Sequence, residues 1–336
     1  MRLFNSTWLL LASTMWMCFG CIEHELPVPA RASGDAIVRQ VNMGADYGVQ
    51  LHFDLSSGEV VAEHPKDAWC VRFLFDSDSV WMDLNSSRFM HVARLDDNQI
   101  QAEMQDDEVN DLDWGVNHPS FRNEEQLVEA DRAWAIDLGR DPDNPLASLG
   151  NRRFEVLDVS SNQLTLRAAR LEGLTEEAIA SNWDTLIVDK NEMVSQTHVS
   201  LLNLEVVNVE PHTHTWDLYF TQYTTLFDMG PDGVPLEYLV TGVLSHAEGV
   251  RVMQPDSGSW EEWKDLPWPE EAMSDHWDTI GYDWKSYSID EGSYTIDMDA
   301  LFCIRTQEGR EFLLRFLDFY DDLGDAGRFT FETLER

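Results

Sequence analysis

Along most of this chain the apolar residues recur with a period of two, and that spacing constrains the fold more than any other feature. Val49–Leu55 (VQLHFDL), Trp69–Phe75 (WCVRFLF), Arg153–Val159 (RFEVLDV), Gln163–Ala169 (QLTLRAA) and Trp216–Phe220 (WDLYF) carry it. So do Tyr238–Leu244, Ser293–Met298, Leu301–Thr306, Glu311–Tyr320 and Phe329–Leu334. Alternation of this kind puts one face of a strand in a core and the other outside it. Turn signals separate the runs: SSG at 56–58, DSDS at 76–79, DPDNP at 141–145, MGPDG at 229–233, QEG at 307–309 and GDAG at 324–327. Helical signals are few, with a turn or two expected in 124–134 and 175–181. The expectation is an all-β protein of antiparallel sheets with few short helices.

One internal repeat stands out. Residues 59–69 read EVVAEHPKDAW and residues 205–216 read EVVNVEPHTHTW. Each holds a strand ending in Val-Val, a Pro-containing turn, and a Trp opening the next alternating run. The repeat suggests two related β halves, split within the acidic interval 98–150. The expected units are 44–150, an N-terminal β half with an acidic connection, and 151–336, a C-terminal β domain.

The first residues read as an export signal. Arg2 precedes an apolar run from Trp8 to Phe19, too short to span a bilayer as a helix and of the length of a signal peptide's apolar region. Gly20-Cys21 at its end resembles the lipobox of bacterial lipoproteins, although Phe19 is bulkier than usual at its position. Residues 1–20 are thus expected to be a signal peptide and 21–43 a flexible tether, lipidated at Cys21 and anchored to the outer membrane or cell surface. An ordinary signal peptide with Cys21 merely nearby is the alternative.

Composition excludes some functions. The 62 acidic and 23 basic residues give a formal charge of −39, which argues against nucleic acid, because phosphate binding runs on Lys and Arg. Only Lys66, Lys190, Lys264 and Lys285 are lysines, and an acid-rich, lysine-poor surface suits a saline habitat. Cys70 and Cys303 lie in apolar runs and read as two buried free thiols, a disulfide between them being the alternative. No zinc spacing, nucleophile elbow, HExxH, P-loop or dinucleotide fingerprint occurs. Acid pairs such as Asp76/Asp78 and Glu261/Glu262 read as solvated surface, and Asp228 with Asp232 as at most a weak calcium site. Nothing points to an enzyme.

Taken in order, several segments resemble the HmuY family of haem-binding surface lipoproteins. They are Trp216-Asp217-Leu218-Tyr219-Phe220 with the Gly230–Gly233 turn, Tyr238–Val243, and Ile280-Gly281-Tyr282-Asp283-Trp284-Lys285. LFCIRTQEGREFLLRFLDFY, the closing GDAGRFTFETL, GADYGVQLHFDLSSGEVV and NRRFEVLDVSSNQLTLRAARLEG extend the likeness over about 44–336. The resemblance implies an all-β fold, a lipid anchor, capture of haem or another tetrapyrrole, and an outer-membrane receptor as partner. It also implies an axial histidine five residues after the motif Trp, where this chain has Thr221, and Leu74 in the first repeat copy. Neither can ligate iron. For the second ligand, which the resemblance places near 244–255, the candidates are His246 and Met253. His212 and His214, at i and i+2 before Trp216, are weaker metal candidates, and Met229 a weaker one still. His198 and His276 read as surface. Five Trp between 260 and 284 suggest either a loop packed on a sheet or a stacking surface. The rival to haem capture is an adhesion protein of the same fold that binds glycan or protein instead.

Overall fold

The computed structural model describes residues 34–116, 126–171, 182–227, 235–246 and 248–336. The signal peptide, Cys21, the expected helix at 175–181, Asp228, Met229 and Asp232 lie outside the described residues. The chain lays down β1 (Ile37–Asn42), β2 (Val49–Asp54) and β3 (Glu59–Pro65) first. A middle run follows: β4 (Val71–Phe75), β5 (Val80–Leu84), β6 (His91–Leu95), β7 (Gly115–Val116), β8 (Leu127–Val128), β9 (Ala133–Asp137), β10 (Asn151–Val159), β11 (Gln163–Arg170), β12 (Asp184–Asp189), β13 (Thr197–Ser200) and β14 (Glu205–Val207). The last run is β15 (Leu218–Phe227), β16 (Leu236–Ser245), β17 (Arg251–Met253), β18 (Lys285–Ser288), β19 (Ser293–Ile296), β20 (Phe302–Arg305), β21 (Glu311–Tyr320) and β22 (Ala326–Glu335). All ten runs of alternating residues lie on these strands, and the fold is all-β as expected. Two short α-helices occur among the described residues, α1 (Asp106–Asn110) and α2 (Trp260–Asp265). The helix expected over 124–134 is instead the strands β8 and β9. Near-continuous burial of Ala133–Asp137, paired between β10 and β6, overrides the local helical composition.

The strands form two β-sandwiches, and each closes on its own core. In the first, the sheet β1-β22-β21-β20-β17 faces the sheet β16-β15-β2-β3. Leu51 and Phe53 of β2 and Leu218 and Phe220 of β15 meet Phe312, Phe316, Phe329 and Phe331 of the opposite sheet. In the second, β14-β13-β4-β5-β8 faces β12-β11-β10-β9-β6-β7 around Phe73, Trp134, Phe154 and Leu166. The first sandwich therefore takes both ends of the described residues, with β1 lying inside the stretch 21–43 expected to be a flexible tether, and the second takes their middle. The expected division at 150 falls instead between β9 and β10, which are paired to one another. The repeated EVV…P…W segments mark the two places where the chain crosses between sandwiches. β3 leads through Trp69 into β4, and β14 leads through Trp216 into β15.

The segment Ile280–Lys285 fastens the first sandwich from one side. Gly281 lies in the left-handed region at φ +59°, and a Cβ on Gly242 would stand 2.4 Å from its carbonyl oxygen. That close approach lets Val243 pair with Gly281 and drops Trp284 into the core, stacked on Phe316 at 3.8 Å. Replacing a fully buried aromatic by alanine removes its transfer free energy and leaves a cavity. Trp284→Ala is expected to cost roughly 3–5 kcal/mol of unfolding free energy in urea titration. A loss below about 1 kcal/mol would mean that the stack is not part of the core.

Candidate functional site

Alternation fixes what lies outside the cores. On β2, with Leu51 and Phe53 inward, Gln50 and His52 face out, and pairing of Gln50 with His64 sets the β3 histidine beside them. On β15, Tyr219 and Thr221 face out. On β4, Val71 and Phe73 face inward, so Arg72 turns out, paired with His198 of β13 and Asp83 of β5. These outer faces meet in a buried seam between the sandwiches. Trp69 Nε1 donates to Gln50 Oε1 at 3.0 Å, and Gln50 Nε2 donates to Thr221 Oγ1 at 2.7 Å. The Trp69 ring stands edge-on to His198 at 4.8 Å, and Trp216 packs on His52 at 4.6 Å and on His246 at 4.1 Å.

Four histidines therefore share one dry seam: His52, His64, His198 and His246, all buried. Burial disfavours the charged form. It lowers His64 to about 4 and His246 to about 3, and holds His52 and His198 well below their ordinary value, with Arg72 adding to the shift of both. Glu210 Oε1 lies 3.9 Å from His246 Nε2. Burial pushes that carboxyl up to about 7, against hydrogen bonds from Ser195 and Gln196 that favour its ionised form. Asp217 is also raised to about 7 by burial, while its Oδ2 accepts from the Leu55 amide at 2.9 Å and ties β15 to β2. Arg72 reaches Asp83 at 3.4 Å and lies over the Trp277 ring at 4.0 Å.

At one side the seam opens into a cleft of about 490 Å³. Tyr47, Lys66, Gln222 and Leu239 of the first sandwich wall it, opposite Arg88, Phe89, Arg140 and Pro142 of the second. Thr224 Oγ1 donates to the Ser86 carbonyl at 2.8 Å, and Lys66 Nζ donates to Gln222 Oε1 at 2.9 Å. His91 Nε2 sits 2.7 Å from Glu237 of β16, and its Nδ1 sits 3.5 Å from Asp137 of β9. The Asp137 bond, with Glu237, raises its pKa against burial, and the imidazole between the two carboxylates ties one sandwich to the other.

The structure separates the residues singled out from the sequence. His246, at 1% exposure, sits in the seam. Met253 faces a third core, with Trp260, Trp268, Met273 and Cys303. Neither lines the cleft. His212 and His214 are exposed, and His214 Nδ1 is engaged by Gln307 Oε1 at 2.8 Å. His198, read as surface, is buried because its outer face meets the seam, with Trp69 edge-on to its ring; His276 is exposed. Thr221 is buried and hydrogen-bonded, and Leu74 is half-buried. Cys70 and Cys303 are buried free thiols. The Trp cluster is a packed loop: Trp260, Trp268 and Trp284 are buried, and Trp263 and Trp277 half-buried. Among the described residues no group of three or more His, Cys, Asp or Glu is placed to hold a metal ion. None of their helices is long and apolar enough to cross a membrane. Sequence reasoning missed His52, His64, Arg72 and Arg88. For the first three the signal was polar residues alternating with core residues on strands that lack a solvent face; Arg88 lies on the 3-10 turn Ser86–Arg88 and had no such signal.

No family model matches the chain, and no curated protein matches it. Among solved structures it is similar to apo PinO from Porphyromonas gingivitis, at 9% identity and a TM-score of 0.33 over 90% of this chain and 98% of that one. It is similar to the apo HmuY analog of Tannerella forsythia at 8% identity and a TM-score of 0.31, over 90% of this chain and 96% of that one. HmuY-type chains thus stand among the structures it resembles, with scores too low for residues to be carried across.

The neutral histidines give the seam a pH dependence of known sign. A folded-state pKa below the unfolded one means that the unfolded chain binds more protons, so stability falls as pH drops from about 6.5 toward the folded value. For His64, with a folded value of about 4, this lost stability amounts to about 2 kcal/mol at pH 5. His64→Gln is therefore expected to gain on the wild type by about that amount between pH 7.5 and pH 5 in urea unfolding. An unchanged difference between the two pH values would show that His64 is already charged in the fold.

Proposed function

We propose that this is an exported, membrane-tethered binding protein without catalytic activity, and that it holds its ligand in the cleft between its two sandwiches. The observation that carries the proposal is the cleft itself, walled from both sandwiches and of a volume ordinary for small-molecule sites. Tyr47, Phe89, Leu239 and Pro142 supply flat and apolar wall. Haem or a related tetrapyrrole is the ligand class that the sequence resemblance supports.

Axial ligation of the iron is no part of the proposal, because the residues do not fit it. Thr221 is committed to Gln50 and to the Gln222 carbonyl. His246 and Met253 are buried in separate clusters, and both ring nitrogens of His91 face carboxylates. A porphyrin would be gripped by its ring and its acidic edge. In the second reading, adhesion to a protein or glycan, the exposed Leu226, Leu236 and Tyr238 at one end of the β15–β16 hairpin would make the contact.

Haemin titrated into residues 22–336, followed at the Soret band, tests the proposal. Saturable binding without a low-spin spectrum is expected, weakened at least tenfold in Leu239→Trp and unchanged in His246→Gln and Met253→Leu. No binding, or a low-spin band that His246→Gln or Met253→Leu abolishes, would overturn it. Glycan-array binding in the absence of haemin binding would favour adhesion.

A further inference from the structure

The cleft wall holds a positive charge for which the described residues supply no counter-ion. Arg88, on the 3-10 turn Ser86–Arg88, is 1% exposed. Its Nη2 donates to the Trp69 carbonyl at 3.1 Å and contacts the sulfurs of Cys70 and Met90. Its Nε and Nη1 have no hydrogen-bond partner, and among the described residues it makes no ion pair. Proteins seldom bury a guanidinium in this state, because leaving water costs more than carbonyl and thioether contacts return.

Lys66 stands beside it: burial lowers the lysine's pKa and Arg88 adds to that, while Asp46 and Asp67 act against it without reaching ion-pair distance. The Lys66 ammonium bonds an amide oxygen rather than a carboxylate. Arg140, exposed on the same wall, brings a third positive charge.

None of the carboxylates lining this cleft forms an ion pair with Arg88 or Lys66 among the described residues. Asp137 and Glu237 hold His91. Asp46 accepts from the Gly48 amide at 3.2 Å, and Asp141 accepts from the Asp143 amide at 2.9 Å. On a chain with 62 acidic and 23 basic residues, a fully buried arginine beside a half-buried lysine, neither held in an ion pair by a described carboxylate, stands out.

We infer that Arg88 and Lys66 form an oxyanion site, and that the ligand of the cleft carries a carboxylate or phosphate group that docks there. The inference rests on the reading that the cleft is the ligand site, and it adds the chemistry of the ligand's recognised end. Guanidinium and ammonium donors suit both oxyacids, the planar guanidinium through paired bonds and the lysine as a point charge. Arg140 at the rim would steer the anion inward against the acidic surface.

Calorimetric titration and thermal melting of residues 22–336 at low ionic strength, with inorganic phosphate and with glutarate as probes, test the site. At least one probe is expected to bind and to raise Tm, where chloride of matched ionic strength does not. The probe that binds identifies the oxyacid. Lys66→Met and Arg88→Met are each expected to weaken that binding at least tenfold. Arg88→Met should melt no lower than the wild type without ligand, since removing an uncompensated buried charge does not destabilise a fold. Should Arg88→Met fail to fold, Lys66→Met alone decides. A matching shift with chloride, or wild-type affinity in the folded variants, would overturn the site. Haemin separates this inference from the reading beneath it. If haemin binds but neither probe does, the anion site falls and the cleft reading stands. If a probe binds but haemin does not, the anion site stands and the tetrapyrrole falls.

Discussion

The architecture depends on the chain passing twice between two sandwiches, at Trp69 and at Trp216. Each crossing must carry backbone and polar side chains through a region that both cores exclude from water. Buried polar groups are costly unless they find partners, and the two Trp residues organise the partners available. Trp69 holds Gln50, which holds Thr221, so that a strand of the first sandwich is tied to the entrance of the second. Asn85 repeats the device by donating to the carbonyls of Lys66 and Trp69. Asp217, directly after Trp216, closes the return crossing onto β2. The seam is thus the shared boundary of both sandwiches, and the cleft is the place where that boundary opens.

The electrostatics of the seam invert those of the surface. Outside, carboxylates outnumber cations and repel one another. Inside, desolvation disfavours the charged form of the histidines and raises Glu210 and Asp217, and two arginines, Arg72 and Arg88, are buried there. Arg72 finds Asp83 and the Trp277 face, while Arg88 finds only a carbonyl and two sulfurs. In a low-dielectric seam a guanidinium without an ion pair favours an anionic group beside it.

Much of the fold was legible in the chain. Period-two alternation located ten strands because each of them has one face in a core. The repeat was legible too, but its meaning was not: two similar segments suggested two similar halves, whereas each marks a crossing. Nothing local records that β1 pairs with β22, a separation of nearly the whole chain. The site was harder to read. Polar residues alternating with apolar ones were taken as solvent-facing, and for His52, His64, Arg72 and His198 the other side is a second sandwich. His246, a ligand candidate from its position, packs on Trp216 instead of facing the cleft. The resemblance fixed attention on Thr221 as a missing ligand, and the structure gives that residue a hydrogen-bonding role in the seam instead.

Hydrogen exchange of residues 22–336, measured with and without haemin, bears most directly on a ligand held between the sandwiches. Protection is expected to rise together in segments 86–91 and 137–145 of the second sandwich and 222–227 and 236–241 of the first. Protection confined to one sandwich, or to the Trp-rich segment 256–270, would contradict a ligand shared across the seam.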